Sequence, residues 1–415
     1  MRRGCRWIKV ATFRAIRCIP PDRFSSLKPS RSIPLYARRL VVRGGRGYNQ
    51  AVSQSECALV EQGFIPGSCG TLYKGRKEAA CRVTLKWKGD TPYRLIKSTH
   101  LSRPEHYFSI YQSGCNFSCK KCHSWEFTLR AQGKWMSPRD IARLADQYAE
   151  QVTYYEPRER ATSFHALDLC RGYGACVELV PLQPTWTGRP SKYSLRRTGR
   201  RSPLCPGKLE PEQIILSPQG FGPARNIIAF TGGDLACQPE FYARSTELIK
   251  GLDRGLWVLF ETNGYGLTPR NLDLLKSAGV DSFWLDIKAW DEEVHKRLTG
   301  ASNRWILRLP EGILKRGFVL EVLSLFIPGW VEANQLAQIA SLLAAVDPNI
   351  PFTLLAFFPQ NELRHVAPPS LEQMLEAYQA VKEKGLRQVR MGNLGVFVRK
   401  EEDMQRLLTS AADGI

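Results

Sequence analysis

From about Asn226 onward the chain repeats one pattern, a short apolar run followed by a stretch with helical spacing. The runs "NIIAF", "LWVLFE", "SFWLDI", "FVLEVLSLFI" and "PFTLLAFF" begin near 226, 256, 282, 318 and 351, some 26 to 36 residues apart. That is the length of successive strand and helix units in a parallel sheet, because each strand must be followed by a crossover before the next can lie beside it. The helical stretches carry their own punctuation. One runs from about Pro239 to Lys250 with Gly251 as its stop; in another, Thr268 suits the N-cap, Pro269 the first helical position and Gly279 the end. An earlier unit has the same form: "HYFSIYQ" reads as the first strand and "SPRDIARLADQYAE" as the first helix, with Ser137 capping, Pro138 first, and Ile141, Leu144 and Tyr148 on one face. The pattern predicts an α/β fold, a partial (β/α)6 TIM-like barrel.

The 75 residues from 151 to 225 separate the first unit from the second and contain no clear strand and helix unit. That is far beyond ordinary connector lengths and marks an insertion. The expected organisation is a basic extension at 1–47, a cysteine-containing lead-in at 48–105, a core at 106–400 interrupted by the insertion at 151–225, and a tail at 401–415. A content of 43% hydrophobic residues over 415 positions suffices for one large core. No apolar run approaches the roughly 20 residues of a membrane span, and no secretory signal is evident, so the expectation is a soluble, cytoplasmic protein without a membrane partner.

The net charge of +20 is unevenly placed. Residues 1–47 hold thirteen Arg or Lys and one acidic residue, Asp22, so +12 belongs to the extension. Its Arg-rich, acid-poor composition fits an organellar transit peptide, an unfolded basic arm, or an upstream extension from an early start codon. Nucleic acid is not an expected partner apart from this arm. A second basic cluster, Gly188 to Lys208, is rich in Gly, Pro and Ser and reads as a solvated loop.

Of twelve cysteines, three form the tightest group: "SGCNFSCKKCHSWEFT" sets Cys115, Cys119 and Cys122 in a C-x3-C-x2-C pattern directly after the first strand. Loops at the carboxyl ends of the strands build the active sites of β/α folds. Three thiolates on one such loop can ligate three irons of a [4Fe-4S] cube and leave the fourth open, whereas a structural zinc is closed by four protein ligands. His123, adjacent to Cys122, reads as a polar loop residue. Disulfides are not expected in a chain with a full core and no export signal. In and near the insertion, Cys170, Cys176, Cys205 and Cys237, or His165 in place of the last, are the candidate ligands of an auxiliary Fe-S cluster or Zn; the alternative is a thiol-bearing substrate cap. Cys57, Cys69 and Cys81 in the lead-in are isolated and read as buried or free thiols.

The triad together with its companions resembles the radical S-adenosylmethionine (SAM) enzymes. "AFTGGD" at 229–234 is similar to the family's glycine-rich motif at the end of strand two, "ETNGYG" at 261–266 to its strand-three end, "LDIKAWDEEVHKRLTG" at 285–300 to its strand four, and "LFIPGW" at 325–330 to its strand five. These segments look like those of the pyruvate formate-lyase activating enzyme and other glycyl-radical activases. The lead-in "GFIPGSCGTLYKG" and the closing "VRMGNLG" resemble the AmmeMemoRadiSam group. The resemblance spans about Tyr107 to Phe397 without the insertion. Two departures stand out: Lys121 occupies the place of an aromatic residue that meets the SAM adenine, and Phe358 stands near the activases' strand-six histidine.

The resemblance implies a [4Fe-4S] cluster on Cys115, Cys119 and Cys122, and SAM near Gly232, Gly233, Asp234, Thr262, Asn263, Asp286 and Lys288. The glycines would permit close approach, Asp234 would accept from the SAM ammonium, and Lys288 would share its carboxylate. From the sequence alone, Thr262 and Asn263 also suit a turn. The implied chemistry is reductive cleavage of SAM to methionine and a 5'-deoxyadenosyl radical that abstracts hydrogen, fed by an electron donor such as a flavodoxin or ferredoxin. An activase acting on a partner protein is the leading expectation. The alternatives are radical SAM modification of a peptide, small molecule or RNA, and a metal-stabilised scaffold that binds nucleic acid.

Overall fold

The apolar runs become strands because β-branched and aromatic side chains pack well on a pleated surface covered from both sides. The computed structural model describes residues 57–102, 106–165, 177–181, 193–197, 209–217 and 220–415. A hairpin of Gly70–Tyr73 (β1) and Arg76–Ala79 (β2) leads through helix Ala80–Thr84 (α1) to strands Leu85–Lys88 (β3) and Thr91–Leu101 (β4). Strand Phe108–Gln112 (β5), the short helix Trp125–Thr128 (α2), strand Lys134–Met136 (β6) and helix Pro138–Ala149 (α3) make the first unit. Between 151 and 225 the described strands are two antiparallel pairs, Val177–Pro181 (β7) with Tyr193–Arg197 (β8) and Ile215–Ser217 (β9) with Gly220–Gly222 (β10). The series then runs Ile227–Gly232 (β11), Glu240–Lys250 (α4), Trp257–Thr262 (β12), Pro269–Ser277 (α5), Ser282–Asp286 (β13), Glu292–Thr299 (α6), Leu309–Leu314 (α7), Val319–Phe326 (β14), Ala333–Val346 (α8), Phe352–Ala356 (β15), Leu371–Lys382 (α9), Val389–Gly392 (β16) and Glu401–Ala411 (α10).

The main sheet has the order β16-β15-β14-β13-β12-β11-β5-β4-β3, with β6 also paired to β4. From β5 to β16 every neighbouring pair is parallel. The path ends in β16 on one side and antiparallel β3 on the other, so the barrel is partial, as the sequence pattern predicts. Six of its parallel strands coincide with the predicted runs. A seventh, β16, lies in "VRMGNLG"; at four residues it is too short to show a period. The lead-in is also part of the sheet, since β3 and β4 extend it past β5.

Alternation along β11 shows how both faces are used. Ile228 and Phe230 point to the helices, where Phe230 meets Tyr242 of α4 at 5.4 Å and Phe260 of β12 at 5.3 Å. Ile227 and Ala229 point the other way, into a small cluster with Tyr107, Ala161 and Leu259. Ala161 belongs to the segment 153–165, which runs across the amino-terminal ends of the strands. Arg158 donates to the Asp281 and Gly317 carbonyls, Trp257 donates to the Glu156 carbonyl at 2.7 Å, and Phe164 N–H donates to Glu321 at 2.7 Å. Arg225, fully buried, pairs with Glu156 at 3.1 Å and donates to the carbonyls of Thr162 and Arg160. The described start of the insertion therefore closes the end of the barrel opposite the carboxyl-end loops. Among the described residues no helix is long and apolar enough to cross a membrane.

Candidate active site

The loop after β5 is shaped by contacts that leave little freedom. Gly114 has φ 75°, and a Cβ there would meet the Thr84 hydroxyl at 2.6 Å. Its N–H donates to the Phe127 carbonyl at 3.0 Å, and the buried Arg94 donates to its carbonyl at 3.1 Å. Further along, Ser118 N–H and Lys120 N–H donate to the Thr299 and Leu298 carbonyls at 3.1 and 2.8 Å. These are carbonyls at the carboxyl end of α6, which otherwise lack partners within the helix. The loop is thus held at both ends.

On this loop Cys119 is buried and Cys115 and Cys122 are half-buried, and each of the three thiols acts electrostatically on the others. Burial, reinforced by Asp234, pushes the Cys115 thiol up to about 12. Burial also raises Cys119, against a lowering pull from Lys288. Asn263 Nδ2 lies 3.7 Å from Cys115 Sγ, and Thr128 Oγ1 lies 3.3 Å from Cys122 Sγ.

The glycine pair after β11 packs under the loop. A Cβ on Gly233 would stand 2.1 Å from the Gly114 carbonyl oxygen and one on Gly232, at φ 84°, 2.9 Å from Phe127. Their close approach in this structure is to protein backbone and side chains. Asp234 is buried, which raises its carboxyl, and it accepts from Ala236 N–H at 2.8 Å, Thr262 Oγ1 at 2.7 Å and Asn263 N–H at 2.9 Å. It therefore ties the end of β12 to the end of β11. Its own carbonyl accepts from Asn116 N–H at 2.8 Å, and Asn116 Oδ1 accepts from Asn263 at 2.7 Å. Cys115, Gly233, Asp234, Thr262 and Asn263 thereby form one connected network.

Asp286, the last residue of β13, pairs with Lys288. Burial works against the Lys288 ammonium, but Asp286 and then Cys119 outweigh it and hold it above its ordinary value. Asp286 Oδ1 is buried and has no hydrogen-bond partner. That carboxylate oxygen, beside the thiol loop, is open to a donor from a ligand or a water. Lys121 completes the group, its ammonium 4.0 Å from the centroid of the Phe358 ring. Burial first, and repulsion from Lys288 second, bring its pKa down to about 8. The sequence marked Lys121 and Phe358 only as departures from a pattern; their mutual contact required the approach of β15 to the loop after β5. Phe358 also lines, with Pro359, Pro368, Val396 and Arg399, an open concavity of about 550 Å³.

The residues fit a [4Fe-4S] cluster. No three His, Cys, Asp or Glu among the described residues converge on a single metal ion. A cube makes no such demand, because each thiolate binds a different iron. Three thiols sharing one anchored loop, with cations at Lys121 and Lys288 to offset their charge, provide that donor set. Among the other predicted ligands, Cys170, Cys176 and Cys205 lie outside the described residues. His165 packs against Phe164 at 5.4 Å, and Phe164 bonds to Glu321 across the barrel's amino-terminal end. Cys237 is buried just past β11, within electrostatic reach of Cys57, Cys69 and Cys81 of the lead-in.

The chain is similar to known proteins over part of its length. Residues 201–343 match the Radical SAM superfamily model, a range that holds the Gly232-Gly233-Asp234, Thr262-Asn263 and Asp286 to Lys288 segments and begins after the cysteine loop. A protein of Methanocaldococcus jannaschii, named as a candidate glycyl-radical enzyme activating enzyme, is 29% identical over 154 residues, 36% of this chain and 57% of that protein. The chain thus spans somewhat more than half the length of this relative. A domain of a pyruvate-formate lyase-activating enzyme from Bacteroides vulgatus aligns with 21% identity over 40% of this chain and 98% of that one, at a TM-score of 0.34. HydG, a maturase of the [FeFe]-hydrogenase, aligns with 11% identity over 74% and 55% of the two chains, at a TM-score of 0.41. The chain therefore carries a Radical SAM superfamily domain and is similar, over part of its length, to a glycyl-radical enzyme activating enzyme.

Proposed function

We propose that this protein holds a [4Fe-4S] cluster on Cys115, Cys119 and Cys122, binds SAM at the open iron, and acts as an activase that removes hydrogen from a residue of a partner protein. The observation that carries the reading is the three-thiol loop braced by the Gly232-Gly233-Asp234 turn and by Asn263. When bound, a [4Fe-4S] cluster held by these thiols would supply the electron for reductive cleavage of SAM.

The chain's own residues bind and orient. The orphaned Asp286 Oδ1 is an acceptor for an amino or hydroxyl group of SAM, and Lys288 and Lys121 are the cations available to its carboxylate. Asn263 fixes the orientation of the Cys115 side through its paired contacts to Cys115 Sγ and Asn116. Phe358 presents an apolar wall beside Lys121, which helps to exclude water from a radical's surroundings. The open concavity next to Phe358 is the approach offered to a macromolecular substrate, and the similarity to a glycyl-radical activating enzyme supports a protein as that substrate. A flavodoxin or ferredoxin is the class of electron donor that such chemistry calls for.

Anaerobically reconstituted protein, reduced with dithionite and given SAM, should release methionine and 5'-deoxyadenosine. Cys119→Ala should abolish the release and bleach the cluster absorption. Full SAM cleavage by Cys119→Ala would defeat the cluster assignment. Turnover with peptides or small molecules but with no partner protein would move the substrate to the alternative class.

A further inference from the structure

The described residues contain seven cysteines, none in a disulfide, and they fall into two groups with none left over: the three of the cluster loop, and Cys57, Cys69, Cys81 and Cys237. In sequence the second group is scattered over some 180 residues. The fold gathers it in three steps. The β1–β2 hairpin pairs Gly70 with Ala79, and Ala80 N–H donates to the Cys69 carbonyl at 3.2 Å, which brings Cys69 and Cys81 to the base of one hairpin. Cys237 lies against the turn after β12, where a Cβ on Gly266 would stand 2.1 Å from Cys237 N. The same turn receives the lead-in: Thr268 Oγ1 donates to Gln62 at 2.5 Å and Tyr265 OH to the Ile65 carbonyl at 3.1 Å, and Cys57 caps the turn that carries Gln62 by accepting from Glu61 N–H at 3.1 Å. Each of the six pairs among these four thiols is close enough for one to act electrostatically on another.

We propose that Cys57, Cys69, Cys81 and Cys237 form a second metal centre and that its occupant is a four-thiolate iron-sulfur cluster. Inert buried thiols are an ordinary occurrence when they stand singly in a core. Four gathered at one place by the lead-in, the β1–β2 hairpin and the turn after β12 are a donor set. A zinc ion would require all four sulfurs to converge at about 2.3 Å from one point. The described cysteines do not converge on a single ion, and this holds equally for the loop triad. A cube gives each thiolate its own iron and makes no such demand. Four protein ligands leave no iron open, so this centre ties the lead-in to the barrel rather than binding SAM. It also stands next to the first: a Cβ on Gly67 would meet the Asn116 carbonyl oxygen at 2.3 Å, and Ser118 N–H donates to Ser68 Oγ at 2.9 Å.

The test compares the full-length wild type with Cys69→Ser/Cys81→Ser, both reconstituted anaerobically with iron and sulfide, by iron, sulfide and zinc content and by the paramagnetic resonance spectrum after reduction. The wild type should hold about eight irons or more, and the variant about four fewer, with its remaining cluster signal still changed by added SAM. Equal iron in the two proteins, or zinc in place of iron, would overturn the proposal. Where the double variant does not fold, Cys115→Ala/Cys119→Ala/Cys122→Ala carried together with Cys170→Ser/Cys176→Ser/Cys205→Ser decides: retention of about four irons supports the second centre and loss of all iron sinks it. A wild type with both clusters that fails to cleave SAM would count against the proposed activity alone.

Discussion

Gly233 has a side-chain requirement set by one atom, the Gly114 carbonyl oxygen 2.1 Å from where its Cβ would be. Gly233→Ala must push the cluster loop away from Asp234 and Asn263. Its expected outcome is a folded protein that loses the SAM-responsive cluster signal, read by iron content and paramagnetic resonance. Gly395→Ala, which meets nothing within 4 Å, should leave that signal unchanged. Glu321, inside the barrel, is a second residue with a definite consequence. Burial, offset in part by Phe164 N–H and Thr353 and reinforced by Glu261, raises its carboxyl from 4.5 to about 8. The folded protein thus keeps a proton that the unfolded chain gives up, so this contribution to stability is complete below about pH 4.5 and is lost as pH rises through about 8. Unfolding free energies from urea titrations at pH 5, 7 and 9 should fall with pH in the wild type, by an amount on the order of a few kcal/mol, and fall less in Glu321→Gln. An equal slope in the two proteins would show that Glu321 is ionised in the fold.

Elements here do more than pack. Helix α3 starts with a capping box in which Ser137 Oγ accepts from Asp140 N–H at 3.3 Å and Asp140 accepts from Ser137 N–H at 2.9 Å. Ser137→Ala should cost about 1 kcal/mol and lower the melting temperature by about 2 °C, with no change in iron content. Helix α6 has a different duty at its other end. Its last carbonyls receive Ser118 and Lys120, and Gly300, at φ 84°, passes so near Ser68 that a Cβ would stand 2.5 Å from that side chain. The helix terminus therefore holds the cluster loop and the lead-in together, which explains why "KRLTG" carries a glycine at this place.

At the scale of the molecule, the barrel has one end for chemistry and one end closed by its own insertion. The closure depends on Arg225 and Glu156, both fully buried, and breaking a buried pair leaves an uncompensated charge. Glu156→Ala should destabilise by about 3 to 5 kcal/mol, seen as a large loss in urea midpoint, although the pair lies at the end of the barrel opposite the loop of Cys115, Cys119 and Cys122. The basic extension belongs to the same scale. Deleting residues 1–47 removes a net charge of +12 and should abolish any salt-dependent binding of nucleic acid, measured as the slope of affinity against salt, while leaving SAM cleavage intact. Binding that survives the deletion would place the contact elsewhere.

The parallel series, its helix caps and the three-cysteine loop were determined by the sequence alone, because each is a local matter of period, capping chemistry or close spacing: Thr268, Ser137 and the C-x3-C-x2-C run declare themselves within a few residues. The four-residue strand Val389–Gly392 was too short to carry a period and needed β15 beside it to become a strand. Asp234 read as a ligand acceptor, yet only the fold shows that Thr262, Asn263 and Ala236 occupy it. Cys237 read as a fourth ligand, with His165 as its alternative, to the insertion's three cysteines, and only tertiary structure could bring it within reach of Cys57, Cys69 and Cys81. Residues far apart along a chain meet through the packing of elements between them, and spacing along the sequence carries no record of that meeting.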